Sequence, residues 1–235
     1  MSLICKPLFE QESSTFTYLL ADSVTKEAAI IDAVDCMIER DIALIEELNL
    51  DLKFIIETHI HADHVTSACP LKNKYHDAKI VLGIENTSAE SCADIMAGDG
   101  HILPIGKHEI HAIETPGHTI GCMSFLVDNR LFTGDSLFIR STGRCDFQGG
   151  SALTLYHSIQ KLFTLPDSTL VHPGHDYNGF TVSTIGEEKK FNTLIREEYD
   201  QETFVKKVNS LDLSLPKKIN IAVAANHSCG LISSQ

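Results

Sequence analysis

The sequence predicts one α/β domain spanning 1–235, with two packed sheets flanked by helices and a short helical extension from about residue 183. Three observations carry that expectation. Short β-type runs give way to helical spacing and then return as a second series of strands. A dense His/Asp cluster, Thr58-His59-Ile60-His61-Ala62-Asp63-His64, follows the apolar run Phe54-Ile55-Ile56. Later strand-like runs also end on single polar residues beside a glycine or proline, as in loops that converge on one site.

Taken in order, Leu3 to Ala33 is strand-like, with β-type runs at Phe16–Leu20 and Ala28–Ile31. Met37–Leu48 is helical, because Ile38, Ile42, Ile45 and Leu48 recur at intervals of three and four. Leu52–Glu57 is the strand that feeds the histidine cluster. Val65–Tyr75 reads as a helix if Pro70 falls in its first turn. Lys79–Leu82 is a short strand, and Glu85–Ala97 a weak helix or loop closed by Gly98-Asp99-Gly100. Strands at Ile102–Ile105 and Glu109–Glu114 lead into Pro116-Gly117-His118. A hairpin around Asp128-Asn129 pairs Cys122–Val127 with Arg130–Phe132 and delivers Gly134-Asp135. Leu153–Phe163 is an amphipathic helix, and Leu170-Val171 a very short strand ending at His172-Pro173-Gly174-His175. Helical segments at Ser183–Ile195 and Gln201–Asn209 precede a polar tail carrying Ala225-Asn226-His227.

Composition narrows the function. The 235 residues are 43 % hydrophobic and 22 % charged, which suits a soluble protein with a substantial core. A net charge of -13 argues against nucleic acid, whose phosphates need clustered Lys and Arg. No apolar stretch approaches a membrane span, and the first residues lack a signal or transit pattern. The seven cysteines are dispersed, with no Cys-x-x-Cys pair, so reduced thiols in a cytoplasmic setting are expected.

The chemistry lies in the cluster. Residues two apart on an extended chain point to one side, so His59 and His61 reach one point, and Asp63 and His64 a second. His118, Asp135 and His175 join them from other strand ends. Imidazoles and carboxylates without cysteine suit zinc, iron or manganese. Seven candidate ligands exceed what a closed structural zinc site needs, which favours an open, catalytic metal.

The order His59, His61, Asp63, His64, His118, Asp135, His175 resembles the metallo-β-lactamase superfamily. The resemblance implies a four-layer αββα sandwich with metal at one edge of the sheets. Two activities follow from it. In a dinuclear-zinc glutathione thioester hydrolase of glyoxalase II type, one metal would sit on His59, His61 and His118, the other on Asp63, His64 and His175, with Asp135 bridging. In an oxygenase, one Fe(II) per chain would sit on His59, His118 and Asp135, with His61, Asp63, His64 and His175 around it.

The flanking residues separate the two. Gly134-Asp135-Ser136-Leu137-Phe138-Ile139-Arg140, Gly143-Arg144-Cys145-Asp146-Phe147-Gln148, His175-Asp176-Tyr177 with Gly179-Phe180-Thr181-Val182-Ser183-Thr184, and Leu215-Pro216-Lys217-Lys218-Ile219 with Ala224-Ala225-Asn226 are similar to the persulfide dioxygenase family. Ser141-Thr142 and Cys145 depart from its Gly-Cys and Thr. The resemblance implies oxidation of glutathione persulfide by O2 to sulfite and glutathione, in a chain compatible with homo-oligomers. Arg144, Arg140 and Tyr177 are the candidate substrate contacts; the competing role for Arg144 is an ion pair with Asp146. No base or helix N-terminus adjoins Cys145, which argues against a catalytic thiol there.

Overall fold

The computed structural model describes residues 2–231; Met1 and 232–235 of the expected domain lie outside the described residues. Strands β1 (Leu3–Glu10), β2 (Thr15–Asp22) and β3 (Glu27–Ile31) pair antiparallel, and β3 continues in parallel with β4 (Asp51–Ile56), β5 (Lys79–Gly83) and β6 (Ile95–Ala97). Parallel neighbours need crossovers, and helices α1 (Ile38–Glu47) and α2 (Ala68–Lys74) supply the first two. Pro70 sits in the first turn of α2, where its missing N–H costs nothing.

The second sheet begins with β7 (Ile102–Ile105), β8 (His108–Glu114), β9 (Met123–Val127) and β10 (Arg130–Gly134), all antiparallel. Helix α3 (Ala152–Leu162) then crosses to β11 (Leu170–Pro173), parallel to β10, and β12 (Ser183–Thr184) closes the edge. The chain ends in α4 (Ile185–Phe191), α5 (Gln201–Asn209) and α6 (Ile219–Asn226).

Alternation along β2 explains the layering. Phe16, Tyr18 and Leu20 face the second sheet and share a core with Ile105, Phe125 and Phe132. Leu19 and Ala21 point the other way, to Ile45 of α1 and Leu71 of α2. On the far side, Leu131 and Val171 pack on Leu155 and Ile159 of α3 and Phe204 of α5. Both faces of each sheet are covered, giving helix, sheet, sheet, helix. The four-layer expectation holds.

Four expectations need correction. Residues 85–97 form only a short turn at Thr87–Ala89 before Ile95–Ala97 joins β5 as an edge strand. The segment from 183 starts as a strand, and α4 stops at Phe191 because Asn192 leaves the helix to bond the carbonyls of Phe138 and Ser141. The tail is helical: α6 is too short and too uniformly apolar to show a period. The thiols are not all reduced, since α6 brings Cys229 to Cys92 in a disulfide across 137 positions, a pairing no local spacing announces.

Candidate metal centre

Every candidate ligand follows the C-terminal end of a strand: His59 to His64 follow β4, His118 follows β8, Asp135 follows β10 and His175 follows β11. The loops are held by specific bonds. Ser151 N–H and Ser158 Oγ bond the carbonyls of Gly117 and Pro116, so α3 fixes the turn that carries His118. Gly143 N–H bonds the Asp135 carbonyl at 3.0 Å. Gly174 must be glycine, because a Cβ there would lie 2.6 Å from Asp135 Oδ1.

His59, His118 and Asp135 are buried, and each offers a donor atom within 4.8 Å of the other two. Thr58 Oγ1 donates to Asp32 Oδ2 at 2.8 Å, so it accepts from His59 Nδ1 at 3.0 Å. His118 Nδ1 donates to the Arg144 carbonyl at 2.7 Å. Both rings therefore keep their Nε2 lone pairs for a ligand. Burial, aided by the nearby His61 and His118, holds His59 well below the usual imidazole range.

The remaining rings are held differently. His61 Nε2 lies 3.1 Å from Asp32 Oδ1 and 3.3 Å from Glu57 Oε2. Burial opposes charge on His61, but those two carboxylates outweigh it and raise its pKa well above normal. Asp63 Oδ2 lies 3.1 Å from His64 Nδ1 and 3.6 Å from His175 Nε2, while His175 Nδ1 donates to the Ser14 carbonyl. His61, Asp63 and His64 form a second cluster of donor atoms within 4.8 Å.

A cation fits this cleft. Asp135 Oδ1, His61 Nδ1 and His64 Nε2 are buried without a hydrogen-bond partner among the described residues, a state that native structures rarely tolerate. Two imidazoles and a carboxylate are a donor set for a divalent first-row metal that leaves positions open.

A profile of the metallo-beta-lactamase superfamily matches residues 11–90 and 93–175. The mitochondrial persulfide dioxygenase ETHE1 of Homo sapiens is 42 % identical over 232 residues, 97 % of this chain and 89 % of that protein. Its counterpart from Mus musculus is 41 % identical with the same coverage. The crystal structure of ETHE1 from Myxococcus xanthus matches with a TM-score of 0.93 at 42 % identity, covering 97 % of this chain and 100 % of that one. The chain belongs to the persulfide dioxygenase family.

In this member of the persulfide dioxygenase family, a cavity of about 510 Å³ opens over the metal cluster, walled by Phe138, Phe147, Tyr177, Leu213 and Leu215. Tyr177 stacks on the His175 ring. Arg144 lines the cavity, but its guanidinium grips both oxygens of Asp146 at 2.6 Å and donates to the carbonyls of Ser214 and Leu213. Arg140 is not among the lining residues, and bonds Glu187, Glu188 and Ser183. Burial pushes the Cys145 thiol up to about 12, so it stays protonated.

Sequence reasoning missed Asp32 and Glu57, and read Asn226 only as part of the family resemblance, with no role at the site. Asp32 adopts φ +53°, its backbone N–H bonding the Ile56 carbonyl while its carboxylate takes both the N–H and the hydroxyl of Thr58. An acid at the end of a buried strand, Ala28 to Asp32, was the available signal. Among the described residues no helix is long and apolar enough to cross a membrane.

Proposed function

We propose that this protein oxidises glutathione persulfide with O2, on one Fe(II) held by His59, His118 and Asp135. Persulfide, O2 and water would give glutathione, sulfite and two protons. The grouping of those three donors is the observation that carries the reading: His61, which the dinuclear-zinc alternative needs on the same metal, has its donor atoms grouped with Asp63 and His64 instead.

When bound, Fe(II) supplies open coordination positions at which a soft persulfide sulfur and O2 can meet. The chain's own groups do the rest. Phe138 and Phe147 line the cleft with apolar rings. His175 and Asp63, which face each other, are placed to move the proton at the hydrolytic step that releases sulfite. No base is needed to ionise the substrate, since a persulfide ionises near neutral pH.

The substrate's carboxylates need a cation in an acidic protein. Arg144 and Arg140 already have carboxylate partners, and Lys218 pairs with Glu12 at 3.0 Å. Lys217 lines the cavity with no carboxylate within 4.0 Å among the described residues. We therefore place the carboxylate contact at Lys217, with Tyr177 beside it, and give Arg144 the task of holding the loop whose carbonyl orients His118. A cytoplasmic setting stays part of this reading on the five unpaired cysteines, with the Cys92–Cys229 disulfide and the mitochondrial relatives weighing against it.

The test measures metal content and O2 uptake with fresh glutathione persulfide, with thioester cleavage alongside. One iron per chain with persulfide-dependent O2 uptake is expected. Two zinc ions per chain with O2-independent thioester turnover would overturn the oxygenase in favour of the hydrolase.

A further inference from the structure

The loop from His59 to Thr66 is anchored by one side chain that is remote in sequence. Asn226, the last residue of α6, is buried at 2 % exposure. Its Nδ2 donates to the carbonyls of His61 at 2.9 Å and His64 at 2.8 Å, and its Oδ1 accepts the Thr66 N–H at 2.9 Å. The three bonds bracket Asp63. Neither histidine carbonyl accepts a backbone hydrogen bond among the described residues, so Asn226 alone satisfies them there.

The carrier is itself pressed onto the loop. Ala222 and Ala225 of α6 pack on Val65. The Cys229 carbonyl accepts Cys69 N–H at 3.0 Å, and Cys229 is joined to Cys92. Gly230, at φ +89°, passes so close that a Cβ would lie 2.0 Å from the Thr66 carbonyl oxygen. A planar amide matches two acceptors and one donor fixed in this way, and no other neutral side chain of its size offers both N–H donors with an acceptor.

We propose that Asn226 is a positioning residue of the metal centre: its carboxamide sets the backbone of residues 61–66, which runs on directly from His59, and through that backbone the placement of His59 and the retention of the metal. Truncating it leaves two buried carbonyls unpaired inside the loop, which relax by moving the backbone that leads back to His59. Outer contacts of this kind change metal affinity by about 10–100-fold. The inference rests on the reading above only for the choice of ligands. Its measurement is metal retention, so it can fail while persulfide oxidation stands, and the reverse.

The experiment loads the full chain with Fe(II) under anaerobic conditions and follows transfer of the metal to excess chelator. The Co(II)-loaded protein gives a visible spectrum as a second readout. Asn226→Ala should release metal about 10–100-fold faster than wild type and alter the Co(II) bands. Asn226→Asp keeps the Thr66 bond but turns an oxygen to the two carbonyls; it should show most of the same effect, and carries the test if Asn226→Ala does not fold. Phe204→Leu, a packing change in α5, should lower the melting temperature yet release metal at the wild-type rate. A wild-type release rate and spectrum in Asn226→Asp overturns the proposal. So does equal acceleration by Phe204→Leu, which would make metal loss a general consequence of instability.

Discussion

Within the histidine cluster, two groups of rings differ in what holds the nitrogen that faces away from the cleft. His59 and His118 lean on neutral groups, the Thr58 hydroxyl and the Arg144 carbonyl. His61 leans on the carboxylates of Asp32 and Glu57, and His64 on that of Asp63; His175, which donates to the Ser14 carbonyl, turns its other nitrogen to Asp63 and Asp135. A neutral partner fixes the tautomer and leaves a lone pair to give. On His61 the two carboxylates outweigh burial and favour the protonated ring. His59 and His61 are two positions apart on one strand end, yet their pKa values move in opposite directions. The motif brings both rings to the cleft, and the partner at the other nitrogen sets them apart in charge.

The largest expected effect breaks or keeps this division directly. His118→Ala should abolish iron retention, whereas His61→Ala should keep much of the iron while losing stability, because it leaves Asp32 and Glu57 facing each other in the interior. Metal analysis after gel filtration, with urea melts alongside, reads both. Equal loss of iron in the two variants would show that the carboxylate-held rings are ligands too.

Asp32→Asn comes next. It keeps the shape of the side chain but removes the charge opposite His61 and weakens the hold on Thr58, and with it on His59. Metal affinity measured by chelator competition should fall about tenfold, the low end for a contact one bond removed from a ligand. An unchanged affinity would reduce Asp32 to a folding role.

A smaller effect is expected at the cavity rim. Lys217→Ala should raise KM for glutathione persulfide about tenfold, since one charge-assisted hydrogen bond contributes about 1.5 kcal/mol. It should leave kcat and metal content unchanged, and KM for a persulfide without carboxylates should not move. Arg144→Ala should instead lower kcat and metal retention, because it frees the loop that orients His118. If Arg144→Ala alone raises KM selectively, the substrate contact belongs to the arginine.

Much of this was legible in the chain before the fold was seen. The strand runs, the His/Asp order and the turn residues at Pro116-Gly117, Gly134 and Pro173-Gly174 mark local features, and local features survive in one dimension. What stayed hidden depends on distant contacts. Asp32 comes from a neighbouring parallel strand, Asn226 from a helix with no readable period, and the Arg144 ion pair competed on even terms with substrate binding until its carbonyl partners, Ser214 and Leu213, were placed. The disulfide was missed for the same reason.

His172 sharpens the comparison from outside the cluster, because it lies three residues before His175 and has neither kind of partner. Both of its ring nitrogens are buried without a hydrogen bond; the ring stacks on Phe132 and meets the edge of Tyr18. Burial, and then the charge of Arg130, lowers its pKa to about 4. An unfolded histidine takes up its proton near pH 6.5. Between those values the unfolded chain binds more protons than the folded one, so stability falls as pH drops. At about 1.4 kcal/mol per unit, the full loss approaches roughly 3 kcal/mol near pH 4, and roughly 2 kcal/mol of it is reached by about pH 5. His172→Phe keeps a flat ring in the stack but cannot titrate. Between neutral pH and about pH 5 it should therefore lose about 2 kcal/mol less than wild type in urea unfolding, with metal content unchanged. Parallel pH slopes for the two proteins would mean that this ring finds a partner when protonated. In that case burial without a partner would not be enough to hold a histidine neutral in this fold.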